Sequence, residues 1–260
     1  MEREKILPAS QMPQGAVAIN RQSVSDKLRA YLKKPFSLGA LVLVLLAAAI
    51  TVGAVLWVLV YTLVQGVPNL SARLFEWEYT TENQSMLPAL LNTLFIAGTA
   101  LAVAVPLGVF AAIFMVEYAK SNNVFVKIVR MAAETLAGIP SIVYGIFGML
   151  FFVQLFGWGT SVLSGALTMA LMILPLVMRT TEEALKAVPD SFREGSFALG
   201  AGKLRTIFKI ILPSAMSGII SGVILSLGRI VGETAALIYT AGTATNVAGG
   251  FLKGGETLSI

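Results

Sequence analysis

The chain has 260 residues, of which 56% are apolar and only 13% charged, with a formal net charge of +5. That is too apolar for a soluble domain of this size. The absence of cysteine and histidine removes the usual ligands of zinc and haem and the usual acid–base side chain, so neither a metal, another cofactor nor a catalytic cluster is called for.

Residues 1–37 are polar and basic, and Met1 to Gln22 read as a flexible tail. Val24, Leu28, Tyr31 and Leu32 then recur at helical spacing among Lys27, Arg29, Lys33 and Lys34. That pattern describes a basic amphipathic helix on a membrane surface, with a solvated linker as the alternative. The first uncharged run, Leu38 to Val64, has 27 residues. A secretory h-region has about 7–15 residues, so this run predicts a retained transmembrane helix. A second span is expected over Leu87–Val116, kinked at Pro106, and a third over Thr135–Phe156. A fourth covers Thr160–Met178, with Pro175 near its end, and Gly157-Trp158-Gly159 makes the tight turn before it. The fifth starts near Ile210 and passes Gly228. The fold class is therefore all-α and polytopic, with five visible transmembrane helices. Residues 246–260 read as an external tail, with no sixth span after it.

Lys and Arg set the orientation. With the N-terminus cytoplasmic, 16 basic residues fall inside and two, Arg73 and Lys253, outside, while Arg229 lies within the last span. Trp57, Trp77 and Trp158 then all approach the outer surface, where an aromatic belt belongs. The basic excess is thus accounted for by a membrane rather than by nucleic acid.

The segment between spans four and five is the most informative. Ser191-Phe192-Arg193-Glu194 has the capping-box pattern, behind the breakers Pro189 and Asp190. Gly200 follows one short helix later, where a left-handed C-cap is needed. Leu204, Ile207, Phe208 and Ile211 repeat at amphipathic spacing before Pro213 opens the last span. The expected result is a rigid knob on short stalks; the plain alternative is an ordinary interhelical loop. Gly200-Ala201-Gly202-Lys203 is not a nucleotide loop, because Phe197 and Leu204 stand where Gly and Ser or Thr are required.

This segment resembles the permeases of ABC importers. Glu194-Gly195-Ser196, three residues, Gly200, nine residues and Ile210-Ile211-Leu212-Pro213 match that family's loop motif in spacing, with Gly195-Ser196 in place of two alanines. Glycine there costs about 1 kcal/mol against alanine, so a slightly looser helix is expected. Gly138-Ile139-Pro140-Ser141-Ile142-Val143-Tyr144-Gly145, Thr181 through Pro189, and Gly232-Glu233-Thr234-Ala235-Ala236-Leu237 resemble phosphate permeases of the PstA type, over roughly residues 85–245. The resemblance implies a bacterial plasma-membrane subunit without its own catalytic site. It also implies a PstC-type partner permease, a cytoplasmic ATPase dimer and an extracytoplasmic phosphate-binding protein. The loop spanning 181–213, with Ser191, Glu194, Gly200, Ile210, Leu212 and Pro213, would dock on the ATPase.

Arg229 and Glu233 stand four residues apart, behind uncharged residues from Ile210 to Gly228, which predicts a pair on one helical face. A charge in a membrane usually has a partner or faces a polar pathway, so the pair reads either as substrate pathway, with Arg229 meeting an anion, or as a structural ion pair. Counted from Leu212, Arg229 lies about 25 Å up a straight helix, nearer the outer face than the centre. Gly218/Gly222, Gly228/Gly232 and Ser217/Ser221 are candidate close-approach pairs. Two further readings stay open on the residues: a permease for another oxyanion, and a secondary carrier or channel that acts without an ATPase.

Overall fold

The computed structural model describes residues 35–77, 79–80, 82–119, 123–245 and 247–260. The amphipathic helix expected at 24–34 lies outside them. The described chain divides into a unit ending at Leu70 and a unit from Ser71 to Ile260.

The first unit contains α1, Pro35–Gly66, an uncharged helix of 32 residues. At 1.5 Å per residue it is about 48 Å long, enough to cross a bilayer with a turn to spare at each end.

The second unit is built on α2 (Leu87–Ile113), which runs on through a wide turn at Phe114–Tyr118. Next come α3 (Val124–Ala137) and α4 (Ser141–Gly148), the latter extended by another wide turn over Met149–Leu155. Then follow α5 (Val162–Ala187), α6 (Asp190–Ala198), α7 (Lys203–Thr206), α8 (Leu212–Val231) and α9 (Ala235–Thr240). Small residues on α2 let it lie close along α5. A Cβ on Gly108 would stand 2.8 Å from Val177 Cγ1, and Ala97, Ala100 and Ala104 are buried with Ala166, Met169 and Ile173 of α5.

Among the described residues four helical segments are long and apolar enough to span a membrane: Phe36–Asn69, Leu87–Tyr118, Val162–Ala187 and Lys203–Val231. The pair α3–α4 makes a fifth only if it is one broken span. The third span therefore differs from the continuous run expected from Thr135. Thr135 to Ala137 end α3, and the chain turns by 101° before Ser141. Pro140, which supplies no N–H, takes the extended N-cap conformation, and the Tyr144 hydroxyl donates to Leu136 O across the break at 2.9 Å. The fifth span differs in the other direction. Pro213 does not begin it: the helix is continuous from Lys203 because the wide turn at Ile207–Ile211 absorbs the missing proline N–H. The amphipathic stripe is accordingly divided, with Ile207 and Ile211 in the core and Leu204 and Phe208 exposed.

Residues 247–260 are packed rather than trailing. Lys253 O and Phe251 O accept the N–H groups of Val162 and Leu163, which the first turn of α5 leaves without intrahelical partners. Buried Asn92 of α2 accepts from Ala248 N at 3.0 Å and donates to Glu256 O at 3.1 Å, and Thr93 Oγ1 accepts from Leu258 N at 3.0 Å. The segment is a cap over the ends of α2 and α5.

Candidate functional site

The loop after α5 forms the knob that its sequence predicts, with one change in how it begins. Pro189, not Ser191, is the N-cap of α6, and no side chain closes the first turn. The capping box fails because the helix starts two residues earlier, at Asp190 rather than Phe192, and the Asp190 carboxylate is held by Arg193 at 3.1 Å. Ser191 and Glu194 are left exposed on the outer side of α6. The other end is as expected. Gly200 has φ +78°, with Gly200 N–H donating to Phe197 O at 2.9 Å and Ala201 N–H to Ser196 O at 3.1 Å. Those two bonds and the left-handed glycine make a Schellman stop. Ser196, standing where the family motif has alanine, is buried and shares a 2.8 Å hydroxyl bond with Thr206 of α7. That bond ties the two arms of the loop together.

The second feature is a cavity of about 310 Å³ between α3, α5 and α8. Its walls carry Arg130, Arg179, Lys186 and Arg229 against Glu134, Glu182 and Glu183. Glu182 takes both Arg130 and Lys186, each at 2.6 Å, and Glu183 takes Arg179 at 3.1 Å. Glu134 is exposed. Arg229 has no ion pair or hydrogen bond of its own among the described residues.

The expected Arg229–Glu233 pair is therefore not formed. α8 stops at Val231, and Glu233 lies past the Gly232 cap, so the two side chains no longer share a helical face. The Glu233 carboxylate instead accepts the Ala236 N–H at 3.3 Å in the first turn of α9, and Glu233 does not line the cavity. The depth of Arg229 also changes. Gly222 packs on Thr180 and Gly218 on Ala184, so each step up α8 is a step down the antiparallel α5. Arg229 is then level with Ile173, close to the middle of Val162–Ala187. Measured against its neighbour rather than from Leu212, residue 229 sits near mid-span, and Met172 and Pro175 share the cavity that its side chain lines. Of the three close-approach pairs, Gly218/Gly222 packs; Gly228 meets nothing within 4 Å, and Ser217 and Ser221 are exposed.

In sequence, Arg130, Arg179 and Lys186 count only among the 16 basic residues that set the orientation. The i,i+4 spacing of Arg179 with Glu183 and of Glu182 with Lys186 was a local signal for two of the three pairs. Nothing local joins Arg130 to Glu182, 52 residues away by number. Two of the segments that resemble phosphate permeases meet in space: a Cβ on Gly145 would stand 2.8 Å from Ala236 Cα.

Residues 104–250 match the family described as binding-protein-dependent transport system inner membrane components, which is more than half of the chain. A probable ABC transporter permease, YqgI of Bacillus subtilis, is 38% identical over 207 residues, covering 77% of this chain and 68% of the relative. The phosphate transport system permease PstA of Haemophilus influenzae is 34% identical over 223 residues, covering 84% and 77%. PstA 1 of Mycobacterium tuberculosis is 41% identical over 159 residues, and there the match spans about half of the relative, 52% of its length. With this match, these identities and the helical membrane fold, the chain belongs to the binding-protein-dependent transport system inner membrane components, as a PstA-type ABC permease.

Proposed function

We propose that the chain is one of two permease subunits of an ATP-driven importer of inorganic phosphate, in a bacterial plasma membrane, with a cytoplasmic N-terminus. The observation that carries this is Arg229: a guanidinium near mid-span, without a carboxylate partner among the described residues, facing a cavity lined by three further cations. A planar fork of donors in a low-dielectric site suits a tetrahedral oxyanion. Arg130, Arg179 and Lys186 are already partly neutralised by Glu182 and Glu183. They keep the cavity attractive to an anion without trapping it.

The chain supplies pathway and coupling and has no nucleotide site; its partners are a PstC-type permease, an ATPase dimer and an extracytoplasmic phosphate-binding protein. The α6 knob, carrying Ser191, Glu194 and Gly200, docks on the ATPase, and Ile210, Leu212 and Pro213, inside the first turns of the last span, carry its motion onward. The test is co-purification from gently solubilised membranes followed by uptake in liposomes. ATP-dependent phosphate uptake with a co-purifying ATPase is expected. Uptake of another oxyanion in preference to phosphate would shift the substrate, and transport without any ATPase would make the chain a carrier or channel.

Topology follows from the basic residues. Single cysteines introduced at Ser71 and Ser191 are expected to label oppositely with an impermeant reagent on intact cells, Ser71 strongly and Ser191 weakly. Strong labelling at Ser191 alone would invert the orientation.

Gly200 provides a second check. At φ +78° a β-branched side chain is strained, and nothing lies within 4 Å of the added Cβ. Gly200→Val is therefore expected to stay in the membrane but to reseat the tip of the knob. Phosphate uptake should fall at least about tenfold, since even about 1.4 kcal/mol of lost docking free energy is tenfold. Normal uptake at normal expression would remove Gly200 from the coupling role.

A further inference from the structure

One guanidinium holds three elements together at the base of the knob. Arg193 donates to Glu117 Oε1 through Nη2 at 2.8 Å and Nε at 3.1 Å. The same side chain donates to Leu185 O at 3.0 Å and to Val188 O at 2.9 Å. Both side chains are largely buried, Arg193 at 16% exposure and Glu117 at 8%.

The sequence explains why an arginine fits here. Leu185 O would bond the N–H four residues on, but that residue is Pro189, which has none. The Phe192 N–H turns to Pro189 O instead of Val188 O. The end of α5 is thus left with two orphan carbonyls, and the fork of donors on Arg193 satisfies both while still reaching a carboxylate. Glu117 lies in the wide turn Phe114–Tyr118 that closes α2. A second contact supports the same junction, with the Lys203 ammonium 4.7 Å above the Tyr118 ring.

We infer that Arg193 and Glu117 are a mechanical link, a positioning pair that makes α6, the last turn of α5 and the end of α2 move as one body. Displacement of α6 then reaches α2 directly, not only through the covalent chain of α5. The inference rests on the reading above that α6 docks on an ATPase. It adds a specific route by which docking motion enters the membrane. α2 lies along α5 at Gly108 and Val177, so the pair of helices is driven from one end.

Glu117→Gln tests this with little change of shape, because glutamine keeps an acceptor oxygen for Arg193. The first measurement needs no partner protein. The chain contains no cysteine, so nitroxide labels can be placed at Phe114→Cys and Leu199→Cys, both exposed positions. A single narrow distance is expected with Glu117, and a distribution at least about twice as wide with Glu117→Gln or Arg193→Lys. An unchanged width in both variants would overturn the link. The second measurement uses the complete importer in liposomes. Glu117→Gln is expected to co-purify with the ATPase and to hydrolyse ATP, but to move at least about tenfold less phosphate per ATP. An unchanged ratio overturns the proposal. Loss of assembly in Glu117→Gln would make the pair a folding element only, and overturns it too. If the native protein shows no ATP-dependent uptake, the importer reading falls, while the label distances still decide the link.

Discussion

Arg229→Gln is expected to insert and assemble normally and to lose about a hundredfold in phosphate uptake. Hydrogen bonds to a charged group contribute about 1.5–3 kcal/mol each, and a guanidinium can make two to one phosphate. Loss of about 2.7 kcal/mol along the pathway corresponds to about a hundredfold. The helix end makes the test sharper. Because α8 stops at Val231, Glu233 is not the counter-ion of Arg229, and its carboxylate is occupied at Ala236 N. Removing both charges should therefore be no better than removing Arg229 alone. Arg229→Lys should recover only part of the uptake, since lysine keeps the charge but not the planar fork. The measurement is labelled phosphate uptake in cells without other phosphate importers, with protein levels checked by blot. Near-normal uptake in the Arg229→Gln/Glu233→Gln double variant would show a structural pair, and the assignment of Arg229 to the anion would be withdrawn.

Gly222→Ala is expected to destabilise the chain by about 1–3 kcal/mol, the usual cost of overpacking, although glycine to alanine inside an exposed helix normally gains about 1 kcal/mol. The sign reverses because of one contact. A Cβ at position 222 would lie 2.1 Å from Thr180 Oγ1 and 2.8 Å from Thr180 Cβ. The hydroxyl cannot simply swing away without cost, because it donates to Leu176 O at 3.0 Å, and the Cβ is fixed by the backbone. α5 and α8 must then separate, which also loosens Gly218 against Ala184 and widens the cavity wall that holds Arg179 and Glu182. Thermal unfolding in detergent should show a lower midpoint for Gly222→Ala and partial recovery on adding Thr180→Gly. Gly228→Ala, with nothing within 4 Å among the described residues, serves as the control and should not be destabilising. Equal midpoints for Gly222→Ala and the native protein would mean the helices have slack at this crossing.

How much of this was legible beforehand differs from element to element. The wide turn that carries helix α7 into α8 could not be anticipated, because Pro213 read alone says only that a regular helix cannot pass. The break before Ser141 was half visible, since Gly138 and Pro140 are turn residues, but hydropathy alone ran the third span through them. The capping-box pattern at Ser191 was present in sequence and unused in structure, because starting the helix at Asp190 lets Arg193 serve the end of α5.

The sequence by itself determined the class of molecule, the all-α membrane fold, four of the long apolar helices and the left-handed stop at Gly200. These depend on run length, charge placement and the backbone freedom of single residues, all of which are local quantities. Only the tertiary structure decided that Arg229, near mid-span, has no ion pair among the described residues, that Arg130 reaches Glu182, and that Arg193 reaches Glu117. Each of those depends on the register between helices far apart in the chain. That register is set by a few close approaches of small residues, such as Gly222 on Thr180 and Gly108 on Val177. Periodicity along one helix carries no information about which neighbour it meets or at what height.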